Sequence, residues 1–197
     1  MRKKSKPVFG IGINDADYAV QPTVNGKQVV CPFYMTWKSM IQRCYDPKYQ
    51  AKYPSYIGCS VAPEWLSFMT FRAWMVGQDW QGRDLDKDLL FPGNKVYSST
   101  TCVFISSGLN RFTLDRGADR GEWPIGVCRS KRHQKFIAQC RNPFTGKVEC
   151  LGLFTCPDEA HEAWRKRKHE IALQLAAEQT DPRLAAALTT RYQEGAQ

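Results

Sequence analysis

From Pro32 onward, apolar side chains recur at spacings of three and four: Phe33, Trp37, Met40, Ile41 and Cys44. With Pro32 placed for a first turn, the spacing predicts an amphipathic helix ending near Tyr45, with Lys38 and Arg43 on its polar side. Asp46-Pro47 stops it, and a loop carrying Tyr49, Lys52, Tyr53 and Tyr56 follows. A second helix is predicted over residues 63–76, where Trp65, Phe68, Met69, Phe71 and Met75 supply more apolar surface than one stripe requires. After Trp80 comes a polar run, residues 81–88. A short apolar strand at 89–94 closed by a turn and another at 103–105 complete this half.

The second half alternates with period two. Strands are predicted at 125–129, 135–141 and 148–154, joined by a polar basic loop (130–134) and by the turn Asn142-Pro143-Phe144-Thr145-Gly146-Lys147. In the middle strand Phe136, Ala138 and Cys140 share one face; Lys135, Gln139 and Arg141 share the other. A helix starting behind Thr155, with Pro157 and Asp158 in its first turn, presents Ala160, Ala163, Trp164, Ile171 and Leu175 to the sheet. After Asp181-Pro182, Leu184, Ala187, Leu188 and Tyr192 mark a short last helix for packing, with 185–188 as an alternative oligomer contact. The expected organisation is a basic arm and loops (1–30), a first domain (31–113), a linker (114–123), a sheet-plus-helix domain (124–179) and a C-terminal helix and tail (180–197).

Charge narrows the partners. The 197 residues carry 28 Lys and Arg against 19 Asp and Glu, a net +9, which favours a polyanion because each neutralised phosphate releases a condensed counterion. Between 120 and 150 there are seven Lys and Arg against two Glu, so the uncovered sheet face and its loops are the expected nucleic-acid surface. No apolar run approaches the roughly 20 residues of a spanning helix, and the start is basic with no apolar stretch behind it, so a cytoplasmic protein without a membrane partner is expected. Eight cysteines without a Cys-x-x-Cys pair, with only three histidines, read as reduced thiols and argue against a structural zinc. His133 falls in the basic loop; His161 and His169 are expected on the helix surface.

Gly126-Val127, Lys135-Phe136-Ile137-Ala138, Arg141-Asn142-Pro143, Leu151-Gly152-Leu153-Phe154-Thr155 and Asp158-Glu159-Ala160 together resemble the ethylene-response-factor (Apetala-type) DNA-binding domain over about 50 residues. The resemblance implies a three-stranded sheet lying in the DNA major groove, with Ser130, Arg132, Gln139 and Arg141 facing the bases. Arg129, Lys131, Lys135 and Lys147 are expected phosphate contacts. Cys128 and Cys150 stand where the family has an arginine and a tryptophan.

Leu85-Asp86-Lys87-Asp88, Gly93-Asn94-Lys95-Val96-Tyr97-Ser98, Thr101-Cys102-Val103-Phe104 and Asn110 resemble degenerate HNH endonucleases of phages, which are often followed by an Apetala-type domain. Trp37, Met40, Arg43-Cys44-Tyr45, Tyr56, Gly58 and Glu64-Trp65 fit the same family's leading segment. The resemblance implies a phage or mobile-element chain of α+β class, with a ββα-metal-like domain before the sheet and helix. It implies catalytic positions at Asp86, Lys87, Asn94 and Asn110, with Asp86, Asp88 and Asn110 as magnesium ligands. The general-base histidine of that pattern is replaced by Lys87, an ammonium at neutral pH that accepts no proton. Residues 86–88 read equally well as a solvated charged turn. The first expectation is therefore a double-stranded DNA-binding protein. The alternatives are a magnesium-dependent nicking or homing endonuclease and an inhibitor that binds a host or phage protein.

Overall fold

In the computed structural model, which describes residues 6–114 and 122–193, the chain divides into two units, 1–106 and 107–197. The basic residues Arg2, Lys3 and Lys4 and most of the expected linker, 115–121, lie outside the described residues. The class is α+β, with short strand pairs in the first unit and one three-stranded antiparallel sheet in the second. No helix among the described residues is long and apolar enough to cross a membrane.

The first unit is organised around α1 (Pro32–Tyr45), which buries Tyr34, Trp37, Met40, Ile41 and Cys44 as the three-four spacing requires. A buried indole needs an acceptor for its N–H, and Trp37 Nε1 donates to the Trp65 carbonyl at 2.8 Å. The helix expected over 63–76 is broken: a 3-10 turn (Pro63–Leu66) precedes α3 (Phe68–Val76). Ser67 caps α3, its hydroxyl accepting from the Thr70 N–H. The Asp15 carboxylate accepts from Met69 N at 2.9 Å and Ser67 Oγ at 2.6 Å, while Ile13 N donates to Leu66 O. Part of the stretch read as tail and loops thus finishes the start of α3. A small hairpin, β1 (Thr23–Val24) with β2 (Lys27–Gln28), also falls there.

The tyrosine-bearing loop after α1 is in fact a short helix, α2 (Pro47–Lys52), capped by Asp46. Beyond it, β3 (Ser60–Val61) pairs in parallel with β5 (Val96–Tyr97), and β4 (Arg83–Asp86) pairs antiparallel with β6 (Val103–Ser106). β4 lies in the run expected to be merely polar, while the apolar residues 89–94 form bends and a turn rather than a strand. Only Leu89 of that run is fully buried, so its apolar content anchors a loop.

The second unit opens with α4 (Ser107–Thr113) and continues as β7 (Val127–Arg129), β8 (Phe136–Arg141) and β9 (Val148–Phe154), in sheet order β7-β8-β9. Ala138 and Cys140 of β8 are buried beneath α5 (Pro157–Ala177), which contributes Ala160, Trp164, Ile171, Ala172, Leu175 and Ala176. The N-cap of α5 is Cys156 rather than Thr155. α6 (Pro182–Thr190) buries Leu184 and Leu188 and starts at Asp181, which accepts from Arg183 N.

α5 lies close to the sheet because Gly126 has no side chain. A Cβ there would stand 2.1 Å from two Trp164 ring atoms, and its φ of +82° is a left-handed conformation that favours glycine. Gly126→Ala is expected to cost the second unit roughly 3 kcal/mol or more through overlap and backbone strain. Urea unfolding followed by the Trp164 indole N–H signal in NMR spectra measures it, and a loss under about 1 kcal/mol would contradict this packing.

Candidate functional site

Two sets of residues carry candidate chemistry, one in each unit. In the first unit β4 ends at Asp86, whose Oδ1 accepts from the backbone N–H groups of Asp88 (2.9 Å) and Leu89 (2.7 Å). Asn94 spans the same loop: its Nδ2 donates to Lys87 O at 2.6 Å and Val96 O at 2.7 Å, and its Oδ1 accepts from Val96 N at 3.2 Å. Asn94 thereby fixes the return from β4 to β5.

Lys87 is buried, only 7% exposed, so the reading of 86–88 as a solvated turn does not hold. Its Nζ donates to Asp88 Oδ2 at 2.8 Å and lies 5.9 Å from the Tyr97 ring centre. Burial alone would depress the ammonium's pKa, but the Asp88 hydrogen bond and charge outweigh it and the net shift is upward. Asp86 is also shifted up, by burial and then by the neighbouring Asp88 charge. Around them, burial raises the Cys44 and Cys102 thiols to about 12, leaving both protonated and poor metal ligands. Arg43 is not on a solvent side as expected: it is half-buried, 5.7 Å from the Tyr56 ring centre and hydrogen-bonded to Tyr97.

Magnesium requires several oxygens in near-octahedral geometry. Within the first unit the expected ligands fit it poorly, because one Asp86 oxygen is held by two backbone N–H groups and an Asp88 oxygen is paired with the Lys87 ammonium. Asn110, the third expected ligand, stands on α4 in the second unit.

The second set lies on the sheet. Its register pairs Cys128 with Ile137, Ile137 with Leu153, Gln139 with Cys150, and Arg141 with Val148. Gln139 and Arg141 are exposed on the face away from α5, together with Cys128, Val148, Cys150 and Leu153. The face itself is thus less basic than its charge count suggests; most cations sit in the turns at its two ends. Lys131, Arg132 and Lys135 are exposed at the β7–β8 end, where Arg129 donates to Gln134 Oε1 at 2.9 Å, and Lys147 is exposed at the β8–β9 end. Ser130 does not face outward: it is buried, and its hydroxyl accepts from His133 N.

Both ends are pinned by polar contacts. Asn142 accepts from Phe144 N at 2.9 Å and donates to Glu149 at 2.7 Å, while Arg167 of α5 binds Glu149 from the other side at 2.7 Å. His161 leaves the surface role expected of it, since it is stacked on Trp164 with Nδ1 2.9 Å from Ile125 O; His169 is half-buried. The sequence reading passed over Arg111 and Lys168. For Lys168 a signal existed, because it follows Trp164 by four and precedes Ile171 by three, on the helix's inner stripe.

Removing Asn94 deletes three loop bonds, so Asn94→Ala is expected to lower the first unit's unfolding free energy by about 2 kcal/mol in chemical denaturation; no change would discount its structural role. Hydrogen bonds from Arg167 and Asn142 hold the Glu149 carboxyl down from 4.5 to about 2. A depressed carboxylate stabilises the fold above its unfolded pKa and loses that effect as pH falls through the folded value. The stability gap between wild type and Glu149→Gln should be full above about pH 5 and should shrink steadily toward pH 2 in thermal unfolding at stepped pH. A pH-independent gap would count against the ion pair.

The chain matches no family model, no curated protein and no solved structure.

Proposed function

We propose that this is a double-stranded DNA-binding protein that reads the major groove with the open face of β7-β8-β9. The observation that carries the reading is the alternation in β8: Ala138 and Cys140 are buried under α5, while Gln139 and Arg141 project from the opposite face between two basic turns. Glutamine is suited to adenine and arginine to guanine, and exposed Val148 and Leu153 offer apolar contact to thymine methyls. Lys131, Arg132, Lys135 and Lys147 supply the phosphate contacts that set position without naming a base. The Apetala-type resemblance supports the same reading, with Ser130 withdrawn from the contact set.

For the first unit, β4 and β6 paired antiparallel across a loop tied by Asn94 support the strand part of a degenerate ββα-metal-like reading, while the next helix, α4, belongs to the second unit. A hydrolytic role needs a group that takes a proton from water, and an ammonium held by Asp88 does not supply one. Binding without cleavage is therefore the favoured function of the whole chain.

The test combines duplex binding by fluorescence anisotropy with a nicking assay on supercoiled DNA in magnesium. Arg141→Ala is expected to weaken binding about ten- to hundredfold and to relax preference at one base position. Supercoiled DNA should remain intact. Unchanged affinity in Arg141→Ala would remove the sheet face from the interface, and nicking abolished by Asp86→Ala would replace this reading with an endonuclease.

A further inference from the structure

The second unit contains a groove of about 500 Å³ between α4 and the β8–β9 turn, lined by Gly108, Arg111, Phe112, Arg141, Gly146 and Lys168, with Pro143 at its edge. Three cations from three separate elements line it, Arg111 from α4, Arg141 from the end of β8 and Lys168 from α5, and no acidic residue among the described ones does. We propose that this groove is a phosphate-binding site that takes one backbone phosphodiester of nucleic acid.

The donors fit an oxyanion. Arg111 uses its Nε on Ser107 O, at 3.2 Å within its own helix, and the guanidinium fork retains further donors. Arg141 has no side-chain hydrogen bond or ion pair among the described residues. Lys168 is the most telling of the three. Its Nζ donates to Phe112 O and sits 3.5 Å from the Phe112 ring centre, with the Tyr192 and Trp164 rings at 5.6 and 5.9 Å.

A carbonyl and three rings hold that ammonium in place, yet no carboxylate among the described residues pairs with it. Burial first, with Arg191 adding to it, lowers its pKa to about 8, as expected of an interior cation lacking an anion. A phosphate held by Arg111 next to Lys168 supplies the missing charge, since an arginine fork matches phosphate oxygens in pairs, while Arg141 adds positive charge at the groove's edge. Small residues keep the entrance open, since neither Gly108 nor Gly146 carries a side chain to fill it.

That the phosphate belongs to DNA rests on the reading of the sheet face, to which Arg141 also belongs. Arg111 does not lie on that face, so it separates the two ideas. Duplex affinity is measured for wild type and Arg111→Ala across a salt series. In parallel, amide spectra of both proteins are recorded with inorganic pyrophosphate, observing Gly108 and Gly146.

The expected result is weaker duplex binding by Arg111→Ala, with the slope of log affinity against log salt reduced by about one, the signature of one lost phosphate contact. Duplex binding with an unchanged slope in the variant would overturn the groove and leave the sheet reading standing. If the wild type binds no duplex, but pyrophosphate shifts Gly108 and Gly146 in the wild type and not in Arg111→Ala, the groove stands as a site for free phosphate and the sheet reading falls. With neither a duplex effect nor a pyrophosphate shift, the groove is not an anion site.

Discussion

Trp164 seated under Gly126 is the contact on which the second unit depends. A three-stranded sheet has two faces, and a single long helix covers only one. The indole rests where a side chain on Gly126 would be, and Ala138 and Ala160, both fully buried, keep strand and helix close. Covering one face commits β8 to its alternation and leaves Gln139 and Arg141 outside. The open face is thus a consequence of which face the helix covers, and the Asn142–Glu149–Arg167 linkage fixes the end of the sheet that borders it.

Buried cations are handled in three ways. Lys87 is matched by a carboxylate, Asp88, and its positive charge is secured. Arg43 rests against phenol rings and a tyrosine hydroxyl. Lys168 has rings and a carbonyl but no acid among the described residues. Desolvating a charge is costly unless something opposite in sign is near. The first two arrangements are complete in themselves, and the third is the one that an anion completes. The difference sets Lys87, paired with Asp88, apart from Lys168, which borders the proposed phosphate groove.

Periodicity made α1 and the three strands of the second unit legible. Helical spacing and strict alternation depend on which side chains need burial, and β9 occupies the very residues, 148 to 154, that alternation marks. The failures share a cause. Residues 83–86 read as polar because β4 fully buries only Leu85 and half-buries its two acids, and 89–94 read as a strand although their apolar residues anchor a loop. The break before α3 was hidden because Asp15, some fifty residues earlier, supplies the hydrogen bonds that start the helix at Ser67. Local pattern carries no trace of a partner that distant.

Composition and pattern by themselves determined an α+β chain with an excess of positive charge, a sheet whose middle strand has a polar side, and a run of charged residues from Asp86 to Asp88. Those properties belong to single residues and their near neighbours, so they survive without the fold. Only tertiary structure decided that Lys87 is buried on Asp88, that Ser130 turns inward, that the exposed sheet face is partly apolar, and that Arg111, Arg141 and Lys168 converge. Even where the partner is a chain neighbour, as Asp88 is to Lys87, the burial that decides its effect is set by packing and not by sequence spacing.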